Sequence, residues 1–227
     1  MTTRCAATTS SDFPPDEKTH GTVMTMQGER VCHWHLQMPD YHADEWGRPV
    51  TDDKLIFEKV CLESFQSGLS WHIVLHKRAA FREAFCGFDF YQLADFSAVD
   101  IESLLKNPAI IRNRRKIVSA IHNAQRAIAL VSEAGSLAAW FWQFEPPPEA
   151  RPKEITQEYL SQHPDSAASR AMARGLKQRG WTWVGPVTCY SLMQALGLVN
   201  DHLQGCCYRN ICESARAELI RPWLKSE

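Results

Sequence analysis

His202 and Cys206 stand four residues apart in "DHLQGCCY" (201–208), and Cys207 follows at once. An imidazole and a thiolate at that spacing can hold one ion from a single short segment. A closed tetrahedral site needs two further protein ligands. Far upstream, "VCHWHLQMPDYHADEWG" (31–47) offers Cys32, His33, His35 and His42. Cys32 with one of these histidines would complete a set of two thiolates and two imidazoles, which suits zinc. Such a site would clamp the N-terminal segment to the C-terminal one. The competing reading is unrelated surface histidines and buried cysteines; spacing alone does not choose between them.

Three other groups carry chemistry. Glu63 lies near Ile56 and Val60 on a helical wheel, at the edge of an apolar stripe, just before "SFQSGLSW" (64–71). A carboxylate there is either a surface acid or a buried one that needs a partner. "LKNPAIIRNRRKI" (105–117) holds the densest basic cluster, Arg112, Arg114, Arg115 and Lys116. Beside a helix start it reads either as a solvated helix end or as a phosphate grip. Trp34, Tyr41, Trp46 and Trp71 are core aromatics or a platform for a planar ligand.

The elements that must position these groups read as helices. Asp52 or Asp53 can cap a helix carrying Ile56, Phe57, Val60 and Cys61. Val74, Phe81, Ala84 and Phe85 mark a second apolar face. "SAVD" (97–100) is a capping box with Asp in the Glu place, followed by Ile101, Leu104 and Leu105. After a break at "KNPA" (106–109), Ile117, Ile121, Ala124, Ile128 and Val131 predict a long helix ended by Gly135. A short aromatic helix over 136–144, a Pro-rich surface loop over 145–152, and a helix through Ala168, Met172 and Leu176 come next. Pro186 and Gly197 bracket a last helix. No strand alternation and no repeat appear, so the expected class is all-α.

Composition narrows the setting. The chain has 227 residues, 44% apolar and 22% charged, with a net charge of −1. That suits a globular domain with a sizeable core. A nucleic acid would have to be met by a local patch, since the global charge attracts none. No apolar run reaches membrane-spanning length and the start has no signal-type stretch, so a cytoplasmic protein with no membrane partner is expected. In that compartment the eight cysteines are not expected to pair. Cys61, Cys86 and Cys189 sit among apolar residues as small core side chains. Residues 1–28, rich in Thr, Ser, Pro and charge, read as a mobile tail.

Taken together, "YHADEWG" (41–47), "CLESFQSGLSW" (61–71), "IIRNRRKI" (110–117), "GPVTCYSLMQALGLVNDH" (185–202) and "GCC" (205–207) resemble the DNA-3-methyladenine glycosylase I family. The likeness covers residues 29–208, leaving 209–227 as a C-terminal extension. It implies a helix-hairpin-helix glycosylase domain with a structural zinc held by Cys32, His42, His202 and Cys206; His33 and His35 then drop out as ligands. It implies that Glu63 recognises the base, with Trp34, Tyr41 and Trp71 around a flipped base and Trp46 nearby. Leu69 would fill the gap in the DNA, and Arg112, Arg114, Arg115 and Lys116 would grip the backbone.

Pro108-Ala109 stands where that family commonly has a Gly. The implied reaction is monofunctional hydrolysis of the N-glycosidic bond of 3-methyladenine in double-stranded alkylated DNA, by a monomer. The alternatives weighed are a non-catalytic, zinc-clamped protein that only recognises damage, and a helical small-ligand binder; Glu63 beside Trp71 favours the enzyme, and the basic hairpin opposes the small-ligand reading.

Overall fold

The computed structural model describes residues 20–221. In chain order these form β1 (Thr22–Met24), β2 (Arg30–Cys32), α1 (Pro39–Asp44), α2 (Asp53–Gln66), α3 (Trp71–His76), α4 (Arg78–Ala84), α5 (Phe90–Leu93), α6 (Ala98–Lys106), α7 (Arg114–Ala134), α8 (Leu137–Trp142), α9 (Gln157–Gln162), α10 (Ala167–Gln178), α11 (Pro186–Ala195) and α12 (Tyr208–Glu218), with short 3-10 turns between some of them. The chain divides into two units. One comprises the segments up to Pro49, Pro146–Pro164 and from Met193 onward; the other comprises Val50–Glu145 and Asp165–Leu192.

In the first unit β1 and β2 pair antiparallel, with Val23 opposite Val31 and Thr22 opposite Cys32. Thr25 closes their turn: its carbonyl accepts from the Gly28 amide and its hydroxyl from the Glu29 amide. The core gathers Val31, Cys32, Ile155, Leu203, Cys206 and Tyr208, with Trp34, Tyr159, Leu160 and Ile211 packed on it. It is therefore assembled from three separate stretches of sequence.

In the second unit α2 is central. Every residue from Ile56 to Phe65 is buried, so beyond its first turn the helix has no solvent face and no single apolar stripe. Asp52 caps it, accepting from the Leu55 amide at 2.8 Å. Glu58, buried among apolar groups, is held by Arg82 through Nε and a terminal nitrogen at 2.8–3.1 Å, with Arg78 at 3.9 Å. Such pairing is what makes a buried carboxylate tolerable.

α6 packs against α7. Ser97 and Asp100 form the capping box expected at the start of α6. In the connection between the two helices, Asn107 accepts from the Ala109 amide and Asn113 from the Arg115 and Lys116 amides, capping α7. Gly135 ends α7 at φ 85°, a conformation that favours Gly.

The structure departs from the sequence expectations in four places. Of the tail expected over 1–28, residues 1–19 lie outside the described ones, while Thr22–Met24 forms β1. The three-residue strands are too short for alternation to register, and so the molecule is mostly helical with one small sheet. The second apolar face belongs to two helices, because the chain leaves α-helical geometry at Lys77 (φ −93°, ψ 0°). Within the expected extension 209–227, Cys212 and Arg216 are buried on α12, and residues 222–227 lie outside the described ones. No helix among the described residues is long and apolar enough to cross a membrane.

Candidate functional site

β2 ends at Cys32, α1 presents His42 in its last turn, and the loop before α12 carries His202 and Cys206. All four side chains are buried, and their ligand atoms lie within 4.8 Å of one another. His42 Nε2 and His202 Nδ1 are 3.2 Å apart. Cys206 Sγ is 3.6 Å from His202 Nδ1 and 3.8 Å from His42 Nε2, and Cys32 Sγ is 4.0 Å from His202 Nδ1. With metal–sulfur bonds of about 2.3 Å and metal–nitrogen bonds of about 2.0–2.1 Å, a tetrahedral zinc site has edges of roughly 3.3 Å between nitrogens and roughly 3.6 Å between nitrogen and sulfur. The observed separations lie within about 0.4 Å of those edges, and the cluster can hold a metal.

The surroundings fix which ring nitrogens face inward. His202 Nε2 lies 3.1 Å from the Trp46 carbonyl and must donate to it, which leaves Nδ1 as the nitrogen facing the cluster. His42 Nδ1 lies 3.0 Å from His35 Nδ1, so one of the two must be an acceptor. Burial lowers the pKa of both rings; with an ion held at His42 Nε2, the proton would sit on His42 Nδ1 and His35 would accept it. The Leu203 amide donates to Cys32 Sγ. Gly47, at φ 78°, passes so close that a Cβ there would meet the His202 ring at 3.1 Å and Cys212 Sγ at 3.3 Å.

Without a metal the four groups balance their own charge. The hydrogen bond with Cys206 and burial push the Cys32 thiol well up, while that shared hydrogen bond and the two histidines pull Cys206 down to a thiolate. Burial works against a charge on His202, but its bonds to Cys206 and Cys212 prevail and raise it to about 9. Burial lowers His42 to about 4. The result is a thiolate–imidazolium pair beside one thiol and one neutral imidazole. Metal binding would displace the protons on Cys32 and His202.

Trp34, Tyr41 and Trp46 gather in the same unit. Trp34 meets Trp46 edge to face at 5.0 Å and the His42 ring at 4.6 Å; Tyr41 lies 6.4 Å from Trp34. Glu63, Leu69 and Trp71 belong to the other unit, on α2, the turn after it, and the first residue of α3. Glu63 is not the surface acid its wheel position allows. It is buried, and that burial raises its pKa to about 8 against the opposing pull of Lys59, one helical turn away. A carboxyl so shifted is mostly protonated at neutral pH.

Of the basic cluster, Arg112, Arg114 and Arg115 are exposed, and Arg114 pairs with Glu102 at 2.7 Å. Lys116 is different: it is buried and its ammonium donates to the Phe65 and Ser67 carbonyls at 2.7 and 2.5 Å. That inward engagement corrects the expectation that it grips a phosphate. His35, which sequence reasoning set aside, lies directly behind His42. It lies outside the four-residue cluster but touches one of its members, and no local spacing signals a contact of that kind.

Comparison with known proteins places this geometry. The family model described as methyladenine glycosylase matches residues 31–210. The chain is 42% identical over 180 residues to DNA-3-methyladenine glycosylase 1 of Escherichia coli (strain K12), covering 78% of this chain and 95% of that protein. It is 38% identical over 170 residues to DNA-3-methyladenine glycosylase of Haemophilus influenzae, covering 74% and 89%. A structure describing 3-methyladenine recognition by 3-methyladenine DNA glycosylase I from Staphylococcus aureus superposes with a TM-score of 0.67 at 32% identity, covering 74% of this chain and 88% of that one. The match spans both ends of the buried Cys and His cluster and the whole of α2, and the chain belongs to the methyladenine glycosylase family.

Proposed function

We propose that this protein hydrolyses the N-glycosidic bond to 3-methyladenine in double-stranded DNA, acting as a monofunctional glycosylase in base excision repair. The observation that carries the reading is Glu63, a carboxyl buried on the central helix of a chain with these relatives. Methylation at N3 makes the base a cation and a good leaving group. The base is flipped out of the stack, and its charge draws Glu63 into the carboxylate form, which accepts hydrogen bonds from the adenine edge. Trp34, Tyr41 and Trp71 offer aromatic faces to the cation, with Trp46 beside them. When the bond between C1′ and the base breaks, the electron pair leaves with the base and neutralises it; water adds its oxygen to C1′ and gives up a proton.

The remaining parts follow the same reading. Zinc at Cys32, His42, His202 and Cys206 supplies a closed structural cross-link with no open coordination position. α6, the connection at 107–113 and α7 act as a helix-hairpin-helix, with Arg112, Arg114 and Arg115 toward phosphates and Leu69 toward the gap in the stack. The protein works as a cytoplasmic monomer.

The test is base release from methylated duplex DNA, with the products separated. Guanine carries a carbonyl where adenine carries its exocyclic amine, and that carbonyl would face the carboxylate. 3-Methyladenine should therefore be released at least tenfold to a hundredfold faster than 7-methylguanine, the equivalent of about 1–3 kcal/mol. Equal release of both bases, or none of either, would refute the proposal.

A further inference from the structure

Lys116 poses a problem that the proposed function does not absorb. A lysine in the interior is costly, and burial lowers its pKa. Its ammonium reaches from the first turn of α7 to the last turn of α2, donating to the carbonyls of Phe65 and Ser67. The Trp183 ring lies over it at 5.5 Å, a cation–aromatic contact. Trp183 is itself strained, at φ 60° in a region a bulky residue rarely enters. Side chains of two helices hold the backbone here: from α2 the Ser64 hydroxyl donates to the Trp183 carbonyl at 3.4 Å, and α7 holds the preceding residue. Asn123 accepts from the Thr182 amide and donates to the Thr182 carbonyl, both at 3.0 Å, and Ser119 bonds the Thr182 hydroxyl at 2.6 Å. The backbone that carries this ring over the ammonium is thus held from both helices, and strain persists only where the surroundings over-determine it.

The ammonium holds the turn that carries Leu69. Leu69 donates its amide to the Gln66 carbonyl at 2.7 Å, and the Gln66 side chain returns a bond to the Leu69 carbonyl at 3.0 Å. Gly68 takes φ 78° between them. Ser67, at the base of this turn, is where Lys116 attaches. A second lysine makes a reciprocal tie: Lys77, at the end of α3, donates to the Pro108 and Ala109 carbonyls in the α6–α7 connection at 3.3 and 2.9 Å. The turn and the connection are each held by an ammonium borrowed from the other's side.

We propose that Lys116, covered by Trp183, is a positioning residue that locks the 66–70 turn to α7, so that Leu69 is presented in fixed register with the segment that holds the DNA backbone. The inference rests on the proposed glycosylase function. It assigns Lys116 neither a phosphate nor a nucleophilic role, because the ammonium is buried and two of its three N–H groups are committed to carbonyls. Its benefit falls on extrusion of a stacked base, not on bond cleavage.

The experiment measures single-turnover release of 3-methyladenine from two methylated substrates: a duplex, and the same strand with the lesion in an unpaired bulge where little unstacking is needed. Lys116→Met keeps the stem as far as Cε and removes the ammonium. It should lose 10- to 100-fold on the duplex, the penalty expected of a small misplacement, and less than threefold on the bulge. It should bind free 3-methyladenine as the native protein does. Trp183→Gly relieves the strained backbone while uncovering the ammonium, and should show the same duplex-selective loss at smaller size. Equal losses on both substrates would reduce Lys116 to a structural role, and undiminished duplex activity would overturn the inference. If Lys116→Met does not fold, Trp183→Gly decides by the same comparison. Inactivity of the native protein on both substrates would instead refute the glycosylase reading.

Discussion

The Cys and His cluster and the helix α2 both bury ionisable groups, and they do so in opposite ways. At the cluster every group answers another: Cys206 and His202 neutralise each other, Cys32 receives an amide, and each imidazole has an outer partner. On α2 the two acids part company. Glu58 is gripped by Arg82, whereas for Glu63 burial outweighs the pull of Lys59. Compensated burial serves stability. Burial left uncompensated is a standing cost that a cationic ligand can remove, and that is where function belongs.

The largest effect expected from breaking this contrast is at the cluster. Cys206→Ser should lose the bound metal and several kcal/mol of stability, because in a closed site metal binding is folding energy. Metal analysis and thermal melting check this; full occupancy with unchanged melting would dissolve the contrast from its compensated side.

Glu63→Gln should act on α2 in two directions. Activity on 3-methyladenine should fall at least a hundredfold. Stability should rise, with a sign that pH can expose. The folded pKa of Glu63 is raised from 4.5 to about 8, so the acid imposes no penalty below its unfolded value, a growing one as pH climbs from there to about 8, and a constant one above. The Gln variant should therefore match the native protein near pH 5 and exceed it near pH 9 by on the order of a few kcal/mol. Denaturant melts at the two pH values measure it, and a variant less stable at pH 9 would mean that Glu63 is compensated after all.

Smaller effects sharpen the picture. His35→Ala removes the acceptor behind His42 and should weaken metal affinity about 10- to 100-fold without abolishing it; competition with a chelator reads this. Replacing Arg112 and Arg115 with Ala should weaken DNA binding for all sequences alike and flatten the slope of log affinity against log salt by about 0.9 for each phosphate no longer neutralised. An unchanged slope would take those two arginines out of the grip.

Much of this was legible in the chain. The capping box at Ser97, the long helix ended by Gly135 and the four metal-ligand candidates follow from local rules or from a resemblance carried by long motifs. Three features were not. α2 is buried on all sides, so Glu63 looked like the edge of a stripe that does not exist. His35 acts through another imidazole, and nothing in spacing encodes that. Lys116 was submerged in a run of like charge, although its helical face, shared with Ala120, Asn123 and Ala127, is buried throughout. Counting the run reported its charge; following the period of the helix would have turned Lys116 inward.

The central claim is that an uncompensated buried acid is the base-recognition group, and the pH dependence of kcat/KM for 3-methyladenine release tests it most directly. That profile reports groups of the free enzyme. The native protein should gain activity about tenfold per pH unit below about 8 and level off above, while Glu63→Gln should be at least a hundredfold slower at the plateau and show no such rise. A rise of the same shape in the Gln variant, or full activity of that variant, would contradict the account.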